Sequence, residues 1–96
     1  MRVKTLEEIK RQALPILKQY HVTKAALFGS YVRGEATQKS DIDILVQMPE
    51  HASLFDLVGL KLDLEESFGK KVDVVTYKGI KPRIKDTILS QQVHIL

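Results

Sequence analysis

The chain contains no cysteine, which removes disulfide scaffolds and thiolate metal centres from consideration. It has no apolar run long enough to cross a bilayer. Its opening, Met1-Arg2-Val3-Lys4-Thr5-Leu6-Glu7-Glu8, carries charges where a secretory signal needs a hydrophobic stretch. Internal repeats, low-complexity tracts and linkers are missing too, as is any long basic or aromatic-interleaved tract of the kind that grips nucleic acid. These absences lead us to expect a cytoplasmic chain with no membrane partner.

What is present is the composition of a folded unit: 96 residues, 44% hydrophobic and 28% charged. That suffices for one core of two packed layers and is too little for a separate substrate-binding domain, so residues 1–96 are read as a single domain. A large substrate must then bring much of its own surface. The net charge of +3 favours anionic partners, but the Lys and Arg residues are scattered. A solvated surface explains them better than a nucleic-acid ligand does.

Hydrophobic periodicity orders the chain. A helix is expected from Thr5 to about Tyr20, with a Thr5/Glu8 capping box and a stripe of Leu6, Ile9, Ala13, Ile16, Leu17 and Tyr20, kinked at Pro15. Lys24 to Phe28 reads as a short buried strand, Tyr31 to Arg33 as a helical turn, and Gly34 to Lys39 as a polar loop. A strand follows from Ser40 to Met48. Ser53 caps a helix whose inner face holds Leu54, Leu57, Leu60 or Lys61, Leu64 and Phe68, closed by Gly69. Lys71 to Tyr77 is a further strand. A last helix starts near Pro82 and buries Ile84, Ile88 and Leu89. Val93 to Leu96 forms a brief strand or docks. The order is α-β-α-β-α-β-α, an α/β sandwich.

The chemistry concentrates between residues 29 and 43. Ile42, Ile44 and Val46 alternate with Asp41, Asp43, Leu45 and Gln47, so one side of that strand is apolar and the other begins with two acids. The acids lie about 6.6 Å apart at a rise of roughly 3.3 Å per residue. Like charges so close repel unless a proton or cation compensates them, and Mg²⁺, which prefers oxygen ligands and substrate phosphates, suits the pair. Upstream, Gly29 follows a strand and precedes a turn, where its backbone can approach a ligand closely. Ser30 adds a hydroxyl, the amides of the turn favour an anion, and Arg33 offers a fork to phosphate.

Phe28-Gly29-Ser30-Tyr31-Val32-Arg33-Gly34, followed by Ser40-Asp41-Ile42-Asp43-Ile44-Leu45-Val46, resembles the signature of the minimal nucleotidyltransferase group within the DNA polymerase beta-type nucleotidyltransferase superfamily. The resemblance spans nearly the whole chain. It implies a nucleotidyltransferase fold, a small mixed β-sheet packed against helices. It implies that Gly29 and Ser30 bind the triphosphate of ATP, to which Arg33 is read here as a further phosphate contact, and that Asp41 and Asp43 coordinate Mg²⁺. Asp73, set between Val72 and Val74 in the next strand, is implied as a third metal ligand or as the base that deprotonates the attacking hydroxyl. Members of this group typically act as antitoxins of type VII-like toxin–antitoxin pairs whose toxin is a HEPN-domain ribonuclease. Related members transfer AMP to a tyrosine of that toxin.

Less specific explanations stand beside these. Asp41 and Asp43 could protect a sheet edge against unwanted pairing. Asp73 could face solvent, and Arg33 could pair with Glu35 or touch a partner. Tyr31 could stack on a base or fill the core, and Ser40 fits a role in shaping its loop. His21, His51 and His94 lack metal-ligand spacing, and Asp63, Glu65 and Glu66 read as a solvated helix face. A different function class also remains: a binding module that neutralises a toxin by covering it, without chemistry. Oligomeric state is left open.

Overall fold

The structure, a computed structural model, describes residues 4–96; residues 1–3, part of the opening stretch read above as lacking a signal, lie outside it. Helix α1, Leu6–Gln19, begins where Thr5 accepts a hydrogen bond from the Glu8 amide at 3.2 Å. Ile9, Ala13 and Leu17, one helical turn apart, are its buried residues. The helix continues through Pro15. Pro15 and Arg11, whose carbonyl loses its helical donor, are both exposed, so solvent can serve that carbonyl and the chain is not broken there.

Four strands form one sheet in the order β3-β2-β1-β4: β1 Lys24–Phe28, β2 Ile42–Gln47, β3 Val72–Thr76 and β4 Val93–His94. β1 runs antiparallel to both β2 and β4. β2 and β3 are parallel and are joined by helix α3, Leu54–Phe68, the crossover that a parallel pair requires. The carboxyl-terminal segment takes the strand option: beyond β4, Ala25 N donates to Leu96 O at 3.1 Å and Ile95 N to Ala25 O at 2.9 Å.

One face of the sheet, with Ala25, Leu27, Ile42, Ile44, Val46 and Val72, packs on Ile9, Ala13 and Leu17 of α1 and Leu60, Leu64 and Phe68 of α3. The expectation of two layers needs correction, because the opposite face is covered as well. There Ala26, Leu45 and Ile80 form a second cluster with Val75, Ile88 and Leu89 around it. A 3₁₀ turn, Tyr77–Gly79, leads the chain across to helix α4, Pro82–Gln91, on that side. Leu45 shares a face with Asp43 yet is fully buried.

Two residues expected inside are outside. Leu54 is 74% and Ile84 43% exposed. At about 100° per residue, Leu54 falls well off the centre of the stripe formed by Leu57, Leu60, Leu64 and Phe68. Ile84 borders an open concavity beside the acids. Asp63 and Glu65 are engaged rather than solvated. The Tyr20 hydroxyl donates to Asp63 at 2.6 Å, and the Val72 amide donates to Glu65 at 3.0 Å. The first bond ties α1 to α3, and the second ties α3 to the start of β3. Among the described residues, no helix is long and apolar enough to cross a membrane.

Candidate active site

β1 delivers the chain into Gly29, whose φ of 81° and ψ of −153° belong to a region that essentially only glycine occupies. That conformation folds the carbonyl back under the next turn. Val32 N and Arg33 N both donate to Gly29 O at 3.1 Å, closing the one-turn helix α2, Ser30–Arg33. The amides of Ser30 and Tyr31 stand at its open start beside the Ser30 hydroxyl. Gly29 also lies directly against the acid strand: a Cβ placed on it would overlap the Asp43 carboxylate oxygen and come within 3.0 Å of the carboxyl carbon.

The acids come from two neighbouring strands. Asp43 is opposite Phe28 of β1 on one side and opposite Asp73 of β3 on the other. In-register partners share a face, so the Asp43 and Asp73 side chains leave the sheet on the same side. Asp41 immediately precedes β2. Because β2 is an inner strand, Asp43 cannot serve as edge protection.

Charge is concentrated there. The Asp43 carboxyl is pushed up to about 6, first by burial and then by Asp73 and Asp41, with the Arg33 guanidinium acting in the opposite direction. Four of the residues singled out in the sequence therefore share one electrostatic environment. Among the described residues, no three acidic, histidine or cysteine side chains converge closely enough to hold an ion alone. The donor chemistry still fits magnesium, which is commonly held by one or two carboxylates together with substrate phosphates rather than by an all-protein cage.

The supporting residues are placed as follows. Arg33 pairs with Glu35, Nε to Oε2 at 3.1 Å, with the side chains 42% and 64% exposed. So exposed a pair contributes little and does not hold Arg33 away from a ligand. Tyr31 fills the core, 7% exposed, rather than presenting a free ring for stacking. Its hydroxyl accepts from Lys70 Nζ at 2.6 Å, and Lys70 also reaches Gln38 O at 3.3 Å. This clasp joins the end of α3 to α2 and to the loop before Asp41. Sequence reasoning missed it because no spacing relates residues 31, 38 and 70. Ser40 shapes its loop, accepting from Thr37 N at 2.8 Å. His21 and His51 lie in a separate concavity with Tyr20 and Asp56, and His94 is on β4.

A glycine-led turn at the end of one strand, set against acids on the next two, is the arrangement of a nucleotide-transferring fold. The model of the nucleotidyltransferase domain matches residues 10–93, and the chain belongs to that family. It is 53% identical over 91 residues to a candidate protein adenylyltransferase of Methanocaldococcus jannaschii, covering 95% of this chain and 98% of the relative. It is 37% identical over 99 residues to the protein adenylyltransferase MntA of Thermococcus cleftensis, covering 99% and 100%. A solved candidate minimal nucleotidyltransferase superposes with a TM-score of 0.82 at 32% identity, covering 97% and 98% of the two chains. The fold is shared with the MNT antitoxin solved in complex with a tri-AMPylated HEPN toxin of Shewanella oneidensis, with a TM-score of 0.72 at 18% identity, covering 94% and 71%. The family and fold implied by the sequence resemblance are thereby borne out.

Proposed function

We propose that this chain is a magnesium-dependent protein adenylyltransferase that moves AMP from ATP to a hydroxyl, a tyrosine's, on a HEPN-type toxin, and so acts as its antitoxin. The observation that carries this reading is the contact of the Gly29 backbone with Asp43, in register with Asp73. It sets the glycine-led turn against acids whose burial and like charges raise the Asp43 carboxyl in spite of the opposing Arg33 guanidinium. The adenylyltransferase relatives support the reaction class, and the MNT antitoxin that shares this fold in a complex with a HEPN toxin supports the partner.

Gly29 and Ser30, with their turn amides, hold the β- and γ-phosphates, and Arg33 swings from Glu35 to meet them. Asp41 and Asp43, with Asp73 beside them, hold magnesium together with the nucleotide. When bound, that ion supplies neutralisation of the triphosphate charge. Asp73, the outermost acid, takes the proton of the acceptor hydroxyl. The hydroxyl oxygen bonds the α-phosphorus, the bond to the β-phosphate oxygen breaks, and pyrophosphate leaves with that electron pair. Catalysis is mainly positioning and electrostatics. A reaction that consumes ATP places the work in the cytoplasm.

Purified HEPN-type partner incubated with magnesium and ATP labelled at the α-phosphate tests this. The wild-type chain should label the partner, and the Asp41→Asn/Asp43→Asn variant should not. Equal labelling by both excludes the mechanism. Protection of cells by an inactive double variant would instead favour an antitoxin that works by covering its target.

A further inference from the structure

We infer that the concavity between the acid face of the sheet and α4 receives the apolar ring of the acceptor side chain and presents its hydroxyl to Asp73. This rests on the transfer reaction proposed above. The space measures about 280 Å³ and is lined by Phe28, Ile80, Ile84 and Ile88, with Asp73 and Lys81 as its charged members. It falls just below the range of roughly 300–1,000 Å³ typical of pockets that enclose a whole small ligand. One ring fits it; a complete nucleotide does not.

Strand order decides which ring. Gly29 lies on the β1 side of Asp43, and Asp73 lies on the β3 side. In-line displacement puts the leaving pyrophosphate and the attacking oxygen on opposite sides of the phosphorus. A triphosphate held at Gly29 and Ser30 is therefore attacked from the side of Asp73, and of the three acids it is Asp73 that lines the concavity. Apart from Asp73 and Lys81 the side chains of the lining are apolar, so a purine, with polar atoms all along its edge, would leave several of them unpaired. A phenol needs a polar partner at one end only. Serine or threonine would leave the space unfilled, so the surface selects tyrosine among hydroxyl-bearing side chains. Ile84, 43% exposed while Ile80 is 8% exposed, is apolar surface still open to an incoming group.

Full-length Ile84→Trp, which fills the space, and Ile84→Ser, which strips its wall, test the assignment at a position open enough to spare the fold. The partner KM for label transfer and the affinity for magnesium–AMP-PNP by calorimetry are measured for each. Ile84→Trp should raise the partner KM by about tenfold or more and Ile84→Ser by less, with nucleotide affinity held within about twofold. Loss of nucleotide affinity at unchanged partner KM assigns the space to the base and overturns the inference, and so does a variant pair that changes neither. A wild-type chain that binds nucleotide yet labels no HEPN-type partner overturns the transfer reaction itself, and this inference with it.

Discussion

The α-carbon of Gly29 faces the Asp43 carboxylate with no room for a methyl group between them. Gly29→Ala therefore carries two penalties, a side chain at a φ of 81° and displacement of Asp43. Together they should cost about 1–3 kcal/mol in stability and reduce label transfer by about a hundredfold or more, since misplacing a reacting group by about 1 Å has that effect. Urea denaturation measures the first and transfer kinetics the second. A variant as active as the wild type would separate this contact from function.

The Asp43 carboxyl is raised from 3.8 to about 6, so the folded chain holds this proton more tightly than the unfolded chain. Unfolding then releases a proton between those values, and stability falls as pH rises from about 4 to about 6, with the full cost present above that window. The shift corresponds to about 1 kcal/mol after discounting for the solvent that reaches this half-buried group. Asp43→Asn should flatten the pH profile and stabilise the chain at neutral pH by that amount. Denaturant midpoints across the window check both.

How much of this was legible in the chain is instructive at Leu45. The alternation of Ile42, Ile44 and Val46 announced a strand with one apolar side, and the two acids announced a working face. Leu45 and Val75 sit on that same face, and their apolar character was the available signal that something covers it. Two-fold periodicity says that two faces exist, not which helix returns over the second, so the expectation of two layers left α4 without an assigned face. Gly29, Ser30, Asp41 and Asp43 were legible because their signal is local spacing. The register that sets Asp73 beside Asp43 depends on β2 and β3 being parallel neighbours, and the Lys70 clasp depends on tertiary placement alone.

Tyr31→Phe keeps the ring in the core and removes only the bond to Lys70. It should cost about 1 kcal/mol and raise amide exchange in residues 34–40, the loop that Lys70 holds through Gln38 O at 3.3 Å. Lys70→Met should give the same pattern, because it breaks the same clasp from the other side. Hydrogen exchange of that loop is the readout. Unchanged protection in both variants would mean that the loop is held by other contacts.

A Cβ on Gly59 would meet the Tyr20 hydroxyl at 2.9 Å, the same hydroxyl that bonds Asp63 at 2.6 Å. Gly59→Ala should therefore destabilise the chain, although alanine is favoured over glycine by about 1 kcal/mol inside a helix. In a Tyr20→Phe background the hydroxyl is gone, and the same substitution should become neutral or stabilising. A thermal double-mutant cycle reads the coupling directly.

Calorimetric titration of magnesium–AMP-PNP into the wild-type chain and into Asp41→Asn/Asp43→Asn most directly tests whether these acids and the Gly29–Ser30 turn form one nucleotide site. The expected result is saturable binding that requires magnesium in the wild type and is lost in the variant. Equal affinity in both chains, or wild-type binding indifferent to magnesium, would contradict it.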